Sequence, residues 1–114
     1  MILYSTKYFQ KWFSNLKDIS AIKIIERRLV KLQVDNYAGE IKYLRDNISE
    51  LKINFGPGYR IYIGKYKQLL IILVSGGDKS TQNKDIDKAI NILKKYINDN
   101  LQFLEEVIKN EKSK

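Results

Sequence analysis

From Glu50 to Ser80 the chain reads ELKINFGPGYRIYIGKYKQLLIILVSGGDKS, and this stretch narrows the possible folds most. Leu51, Ile53 and Phe55 alternate with Lys52 and Asn54; after Gly56-Pro57-Gly58 the alternation resumes with Tyr59, Ile61 and Ile63 against Arg60 and Tyr62. A period of two predicts strands with one apolar and one polar face. Pro57 presets a turn backbone and the flanking glycines accept positive φ, so the tripeptide predicts a hairpin loop. Pairing Phe55 with Tyr59 sets Asn54 opposite Arg60 and Lys52 opposite Tyr62. The polar face then carries a cationic patch with an aromatic ring beside it. The run Leu69–Val74 lacks alternation and reads as a central strand covered on both faces, returning from a turn near Lys65–Gln68. Its glycine-rich exit, Ser75-Gly76-Gly77-Asp78-Lys79, is expected to bring Lys79 close to Arg60.

Upstream, Ile2-Leu3-Tyr4 predicts a short strand, and Ser5 or Thr6 can cap a helix in which Phe9, Trp12, Phe13 and Leu16 recur at helical spacing. That aromatic stripe reads as core packing ahead of base stacking. Asp18 or Ser20 starts a second helix with Ile22, Ile25, Leu29 and Leu32 inward, which should stop at the turn-forming Asp35-Asn36-Tyr37-Ala38-Gly39. Glu40–Ser49 reads as a connector tacked to the core by Ile41, Leu44 and Ile48. Its Lys42 and Arg45 either extend the cationic patch or are simply solvated. Downstream, Ser80 or Thr81 can cap a third helix carrying Asp85 and Asp87 early, where acidic groups oppose the helix dipole. Asn98-Asp99-Asn100 interrupts its apolar stripe; Leu101, Leu104, Val107 and Ile108 form another short amphipathic stretch, and Lys109–Lys114 reads as a fraying end.

The order is that of an α+β protein: an N-terminal strand and two helices packed on a mainly antiparallel sheet of about four strands, with a C-terminal helix. At 114 residues the chain supports one core. No apolar run approaches the roughly 20 residues that span a bilayer, and the N-terminus lacks a signal-peptide layout, so no membrane partner and a cytoplasmic location are expected. The chain has no cysteine and no histidine, which excludes disulfides, thiolate chemistry, imidazole acid–base chemistry and the usual zinc sites. Proton transfer then falls to a lysine or tyrosine whose pKa clustered cations pull below about 10. A net charge of +8 favours polyanionic partners, and equally fits a merely solvated basic surface.

Several ordered blocks also resemble the RelE/ParE toxin superfamily, most closely the HigB-like addiction module killer proteins. They are Gly39-Glu40-x-Lys42-x-Leu44, Glu50-Leu51-Lys52-Ile53, Gly56-Pro57-Gly58-Tyr59-Arg60, and Gly76-Gly77-Asp78-Lys79-Ser80-x-Gln82 with Asp85-Ile86. The similarity covers about residues 2–89, within a toxin domain drawn at 1–98, and leaves 99–114 as a helical extension and tail. The resemblance implies the toxin of a type II toxin–antitoxin module, cleaving messenger RNA in the ribosomal decoding site without metal or cofactor. Its partners would be a cognate antitoxin, the ribosome and mRNA; the oligomeric state stays open. Carried over by position, Arg60 matches the family's meander arginine and Lys79 its basic residue after the last strand. Lys52 stands where the nearest relatives usually have arginine, keeping charge and losing bidentate phosphate binding. In the roles this implies, Arg60 clamps the scissile phosphate, Lys79 steadies charge or protonates the leaving oxygen, and Lys52 assists proton removal or binds phosphate. Tyr62 or Tyr59 could stack on a base, with Lys42, Arg45 and Asn54 as further RNA contacts. Glu50 orients a cation, acts as a base, or forms a structural ion pair. Two rivals accompany this reading: a ParE-like inhibitor of DNA gyrase, and a non-catalytic RNA-binding regulator.

Overall fold

The computed structural model describes residues 2–35 and 41–113. They form β1 (Ile2–Ser5), α1 (Lys7–Ser14), α2 (Ile19–Asp35), β2 (Ile41–Arg45), β3 (Ile48–Ile53), β4 (Tyr59–Tyr66), β5 (Leu70–Asp78), a 3-10 turn at Lys79–Thr81, α3 (Gln82–Asp99) and α4 (Leu101–Lys112). The sheet order is β1-β5-β4-β3-β2. β1 runs parallel to β5, and the other pairs are antiparallel. The protein is therefore α+β, with a mixed sheet of five strands.

The strand beyond the expected four is β2, which the sequence presents as a connector. Asp46 and Asn47, at φ 50° and 66°, make a two-residue reversal that sets Arg45 opposite Ile48 and Ile41 opposite Leu51. Consecutive positive φ values suit the right-handed twist of a hairpin, and Asp and Asn tolerate them better than most side chains. Lys67 and Gln68 reverse the chain between β4 and β5 in the same conformation, at φ 49° and 60°. The predicted turn after Asp35, and Gly39-Glu40, lie outside the described residues.

Both faces of the sheet are covered, which is why Leu70–Val74 carries no alternation. On one face Leu51, Ile53, Ile61, Ile63, Ile71 and Leu73 pack with Phe9 of α1 and with Ile25 and Leu32 of α2. On the other, Ile48, Tyr62, Tyr66, Ile72 and Val74 meet Ala89, Ile90 and Leu93 of α3 and Leu104 and Ile108 of α4. The last helix thus completes the second layer, and it continues through Lys112. Among the described residues no helix is long and apolar enough to cross a membrane.

The caps follow local chemistry. Thr6 Oγ1 accepts the Phe9 N–H at 3.1 Å and donates to the Val74 carbonyl at 2.5 Å, joining the start of α1 to β5. Asp18 Oδ1 accepts from the Ser20 and Ala21 N–H groups at the start of α2. At α3 the expected Ser80 or Thr81 cap is replaced by Asp78, whose Oδ1 accepts the Ser80 N–H at 2.8 Å and opens the 3-10 turn. Thr81 makes no side-chain cap bond; its hydroxyl donates to Asp85 Oδ2 at 2.5 Å instead.

Candidate nucleic-acid interface

The hairpin between β3 and β4 is longer than its glycines suggest. Ile53, not Phe55, is opposite Tyr59, so Lys52 faces Arg60 and Glu50 faces Tyr62. Residues 54–58 form the loop: Phe55 N–H donates to the Ile53 carbonyl at 2.9 Å and Gly58 N–H to the Phe55 carbonyl at 3.1 Å. Gly56 and Gly58 take φ +56° and +79°, values that L side chains rarely adopt. Asn54 accordingly leaves the strand face for the loop. Since β5 sets Gly77 opposite Arg60 and Ser75 opposite Tyr62, two rows cross the sheet: Lys52–Arg60–Gly77 and Glu50–Tyr62–Ser75.

Lys52, Arg60 and Lys79, drawn from β3, β4 and the turn before α3, line one open cavity of about 320 Å³, floored by Asn54 and the Phe55–Gly58 loop. The three cations singled out in the sequence therefore converge. They are not equivalent. Lys52 and Lys79 are exposed, whereas Arg60 is only 6% exposed. Arg60 Nε sits in ion-pair contact with Glu50 Oε1, both side chains buried, and Nη1 donates to the Gly58 carbonyl at 3.4 Å. Nε and Oε1 touch as ions without hydrogen-bond alignment, and neither has another hydrogen-bond partner. Glu50 forms the ion pair, and the same contact orients the Arg60 cation. Burial makes that pairing obligatory, because a lone desolvated charge costs far more than a paired one.

The other sequence candidates divide. Tyr62 shares the expected face but is fully buried beneath α3, so it offers no ring to a base. Its hydroxyl has no hydrogen-bond partner, and burial first, then the carboxylates of Asp85 and Glu50, push its pKa up, the reverse of the lowering that proton transfer from a tyrosine requires. Tyr59 lies on the opposite face and packs edge-on to Trp12, centroids 6.4 Å apart. Lys42 is exposed opposite Glu50, at the margin of the patch. Arg45, near the far end of β2, pairs with Asp87 of α3 and with Asp46 at 3.2 Å, away from the cavity. Asn54 does line the cavity.

Asp85 of α3 reaches the sheet at Gly77. A Cβ on Gly77 would lie 2.0 Å from its Oδ2, so the missing side chain in the strand is what admits the carboxylate. The Gly76-Gly77 pair was the available signal. Among the described residues no three His, Cys, Asp or Glu side chains gather where they could hold a metal ion.

Fold and cavity together define an α+β protein with a mixed five-stranded sheet, one corner of which gathers cations around an open hollow. The chain belongs to the same family as an uncharacterized protein of Haemophilus influenzae, to which it is 46% identical over 85 residues, or 75% of this chain and 85% of that one. No protein-family model matches the chain. No solved structure matches it either.

Proposed function

We propose that the protein is the toxin of a type II toxin–antitoxin module, a ribosome-dependent endoribonuclease of the cytoplasm that a cognate antitoxin restrains. The observation that supports it is the convergence of Lys52, Arg60 and Lys79 on one open cavity beside the Gly-Pro-Gly loop. Three of the four blocks resembling HigB-like toxins contribute residues to its lining.

In this reading a phosphodiester of the messenger enters the cavity. The 2′-hydroxyl oxygen bonds to phosphorus as its proton passes to water, while the Lys52 ammonium holds a phosphoryl oxygen. The bond to O5′ breaks, and O5′ takes a proton from Lys79, leaving a cyclic phosphate and a free 5′-hydroxyl. Negative charge grows on the phosphoryl oxygens, and fixed cations stabilise it most where they need no reorganisation. The Glu50 contact holds Arg60 by Nε, which fixes the guanidinium before substrate arrives.

The test is purified protein mixed with ribosomes carrying a defined messenger, with and without EDTA, and with ribosome-free RNA alongside, followed by mapping of 5′ ends. Cuts confined to the decoding site and insensitive to EDTA are expected. Lys79→Ala and Lys52→Ala should each lower the rate by about 10²- to 10³-fold if they stabilise the transition state. No cuts in any sample would overturn the reading and direct attention to gyrase supercoiling. A binding-only role is the second reading, favoured by the same Glu50 contact, which neutralises part of the cationic charge; it predicts RNA retention without cleavage products.

A further inference from the structure

β1 stops pairing with β5 at Ser5 opposite Leu73, so the rest of β5 has no strand on that side. There an open cleft of about 560 Å³ lies between α1 and α3, with Ser75 and Gly76 of β5 in its wall. This is a different hollow from the one lined by Lys52, Arg60 and Lys79.

Its charge is lopsided. Lys7 and Lys11 of α1 and Lys88 of α3 face it with Asp85 as the one carboxylate in the lining. Asp85 Oδ2 already accepts from the Thr81 hydroxyl. Lys7 and Lys11 stand one helical turn apart, a like-charge spacing that costs the helix stability. The Nζ atoms of Lys7 and Lys88 lie 5.5 and 6.0 Å from the centre of the exposed Tyr8 ring, which brings cations of both helices to one aromatic side chain.

A second observation is independent of the lysines. Ser75 is 8% exposed, its Oγ has no hydrogen-bond partner, and the residue lines the cleft. A buried hydroxyl without a partner costs free energy that a ligand oxygen would recover. Ammonium groups around an unsatisfied hydroxyl select an anionic oxygen cluster. Tyr8 and Trp12 in the same wall add aromatic surface for a planar ring. The volume falls in the range of small-ligand sites.

We infer that the cleft between α1 and α3 is a second phosphate-binding site, which takes the phosphate and base of a nucleotide. The source is either a unit of an RNA strand held at a distance from the cationic cavity or a free nucleotide. The strand assignment rests on the cleavage reading; the site itself does not.

Trp12 is the one tryptophan of the chain and lines this cleft, so its fluorescence reports on occupancy. The intact protein is titrated with inorganic phosphate, with AMP, and with a 2′-O-methyl oligoribonucleotide that 2′-hydroxyl attack cannot cleave. A saturable change is expected with AMP and with the oligonucleotide. Lys11→Gln combined with Lys88→Gln should weaken both by at least about tenfold, and Ser75→Ala by several-fold. Oligonucleotide affinity about tenfold above that of AMP, and reduced to the AMP value by Lys52→Ala, assigns the site to a strand. Equal affinities assign it to a free nucleotide. No saturable change, or affinities untouched by the double lysine variant, overturns the site. Because the ligand is uncleavable, an absence of nuclease activity leaves this outcome unaffected.

Discussion

Neither Glu50 nor Arg60 can be removed alone without stranding its partner in the interior. Glu50→Ala should destabilise the protein by about 3–5 kcal/mol, measured by urea unfolding, whereas Glu50→Leu with Arg60→Met should cost much less than the two single changes combined. A cost for Glu50→Ala within the range of an exposed pair would show that Arg60 reaches solvent. Tyr62 makes the complementary case. Burial and the neighbouring carboxylates keep its hydroxyl protonated to higher pH than in the unfolded chain. Above about pH 10 the unfolded state has released a proton that the native state still holds, so the stability it contributes is complete below that pH and declines as pH rises further. Tyr62→Phe should flatten this alkaline decline and, near neutral pH, be neutral or stabilising by up to about 1 kcal/mol, since it deletes a buried hydroxyl without a partner. Urea midpoints at about pH 8 and about pH 11 check both points. At this scale Lys52 and Arg60 were legible in the sequence because alternation assigns faces residue by residue, and Lys79 because the glycine-rich exit of β5 returns the chain beside Arg60. The burial of Tyr62 was not, since nothing local says what lies above it.

Among the elements, turns account for what the sequence concealed. β2 went unread because Asp46-Asn47 is a weaker signal than Asn-Gly, although both pairs take positive φ. The β3–β4 register slid because Gly56-Pro57-Gly58 suggests a three-residue loop, whereas Asn54 and Phe55 also leave the ladder. The slide was by an even count, so the faces survived and only the partners changed. Lys67-Gln68 is the least suited turn, with two long side chains at positive φ. Gln68→Gly should stabilise the protein by about 1 kcal/mol, because an L side chain pays roughly that in the left-handed region. A raised thermal midpoint with the fold unchanged by circular dichroism is the expected result; a lowered one would show that the Gln68 side chain holds the turn.

For the whole molecule the question is whether the last helix belongs to the domain. A domain boundary at residue 98 leaves α4 as an extension, yet Leu104 and Ile108 are fully or nearly buried in the cluster that contains Tyr62, Val74 and Leu93. Tyr66 of β4 and Lys67 of the following turn also hold Glu105 at 2.5 and 2.6 Å, and both contacts lower the Glu105 pKa, with Lys67 the larger influence. Leu104→Ala should therefore cost about 2–5 kcal/mol in urea unfolding, as expected of a core leucine. A value near zero would make α4 dispensable.

The sequence alone determined which face of each hairpin strand is polar, that the chain reverses around Gly56-Pro57-Gly58, and that one strand is covered twice. These are local properties, since side chains alternate along a strand and glycine and proline act on their own φ. Tertiary structure decided which polar residues stay in water. Glu50, Arg60, Tyr62 and Ser75 are buried, Tyr62 among the side chains of α3 and α4, while Lys52 and Lys79 stay open, so the polar residues become a buried ion pair, two hydroxyls without partners and a pair of accessible cations. That division follows from where distant helices dock on the sheet, a contact between residues far apart in the chain that no window of sequence contains.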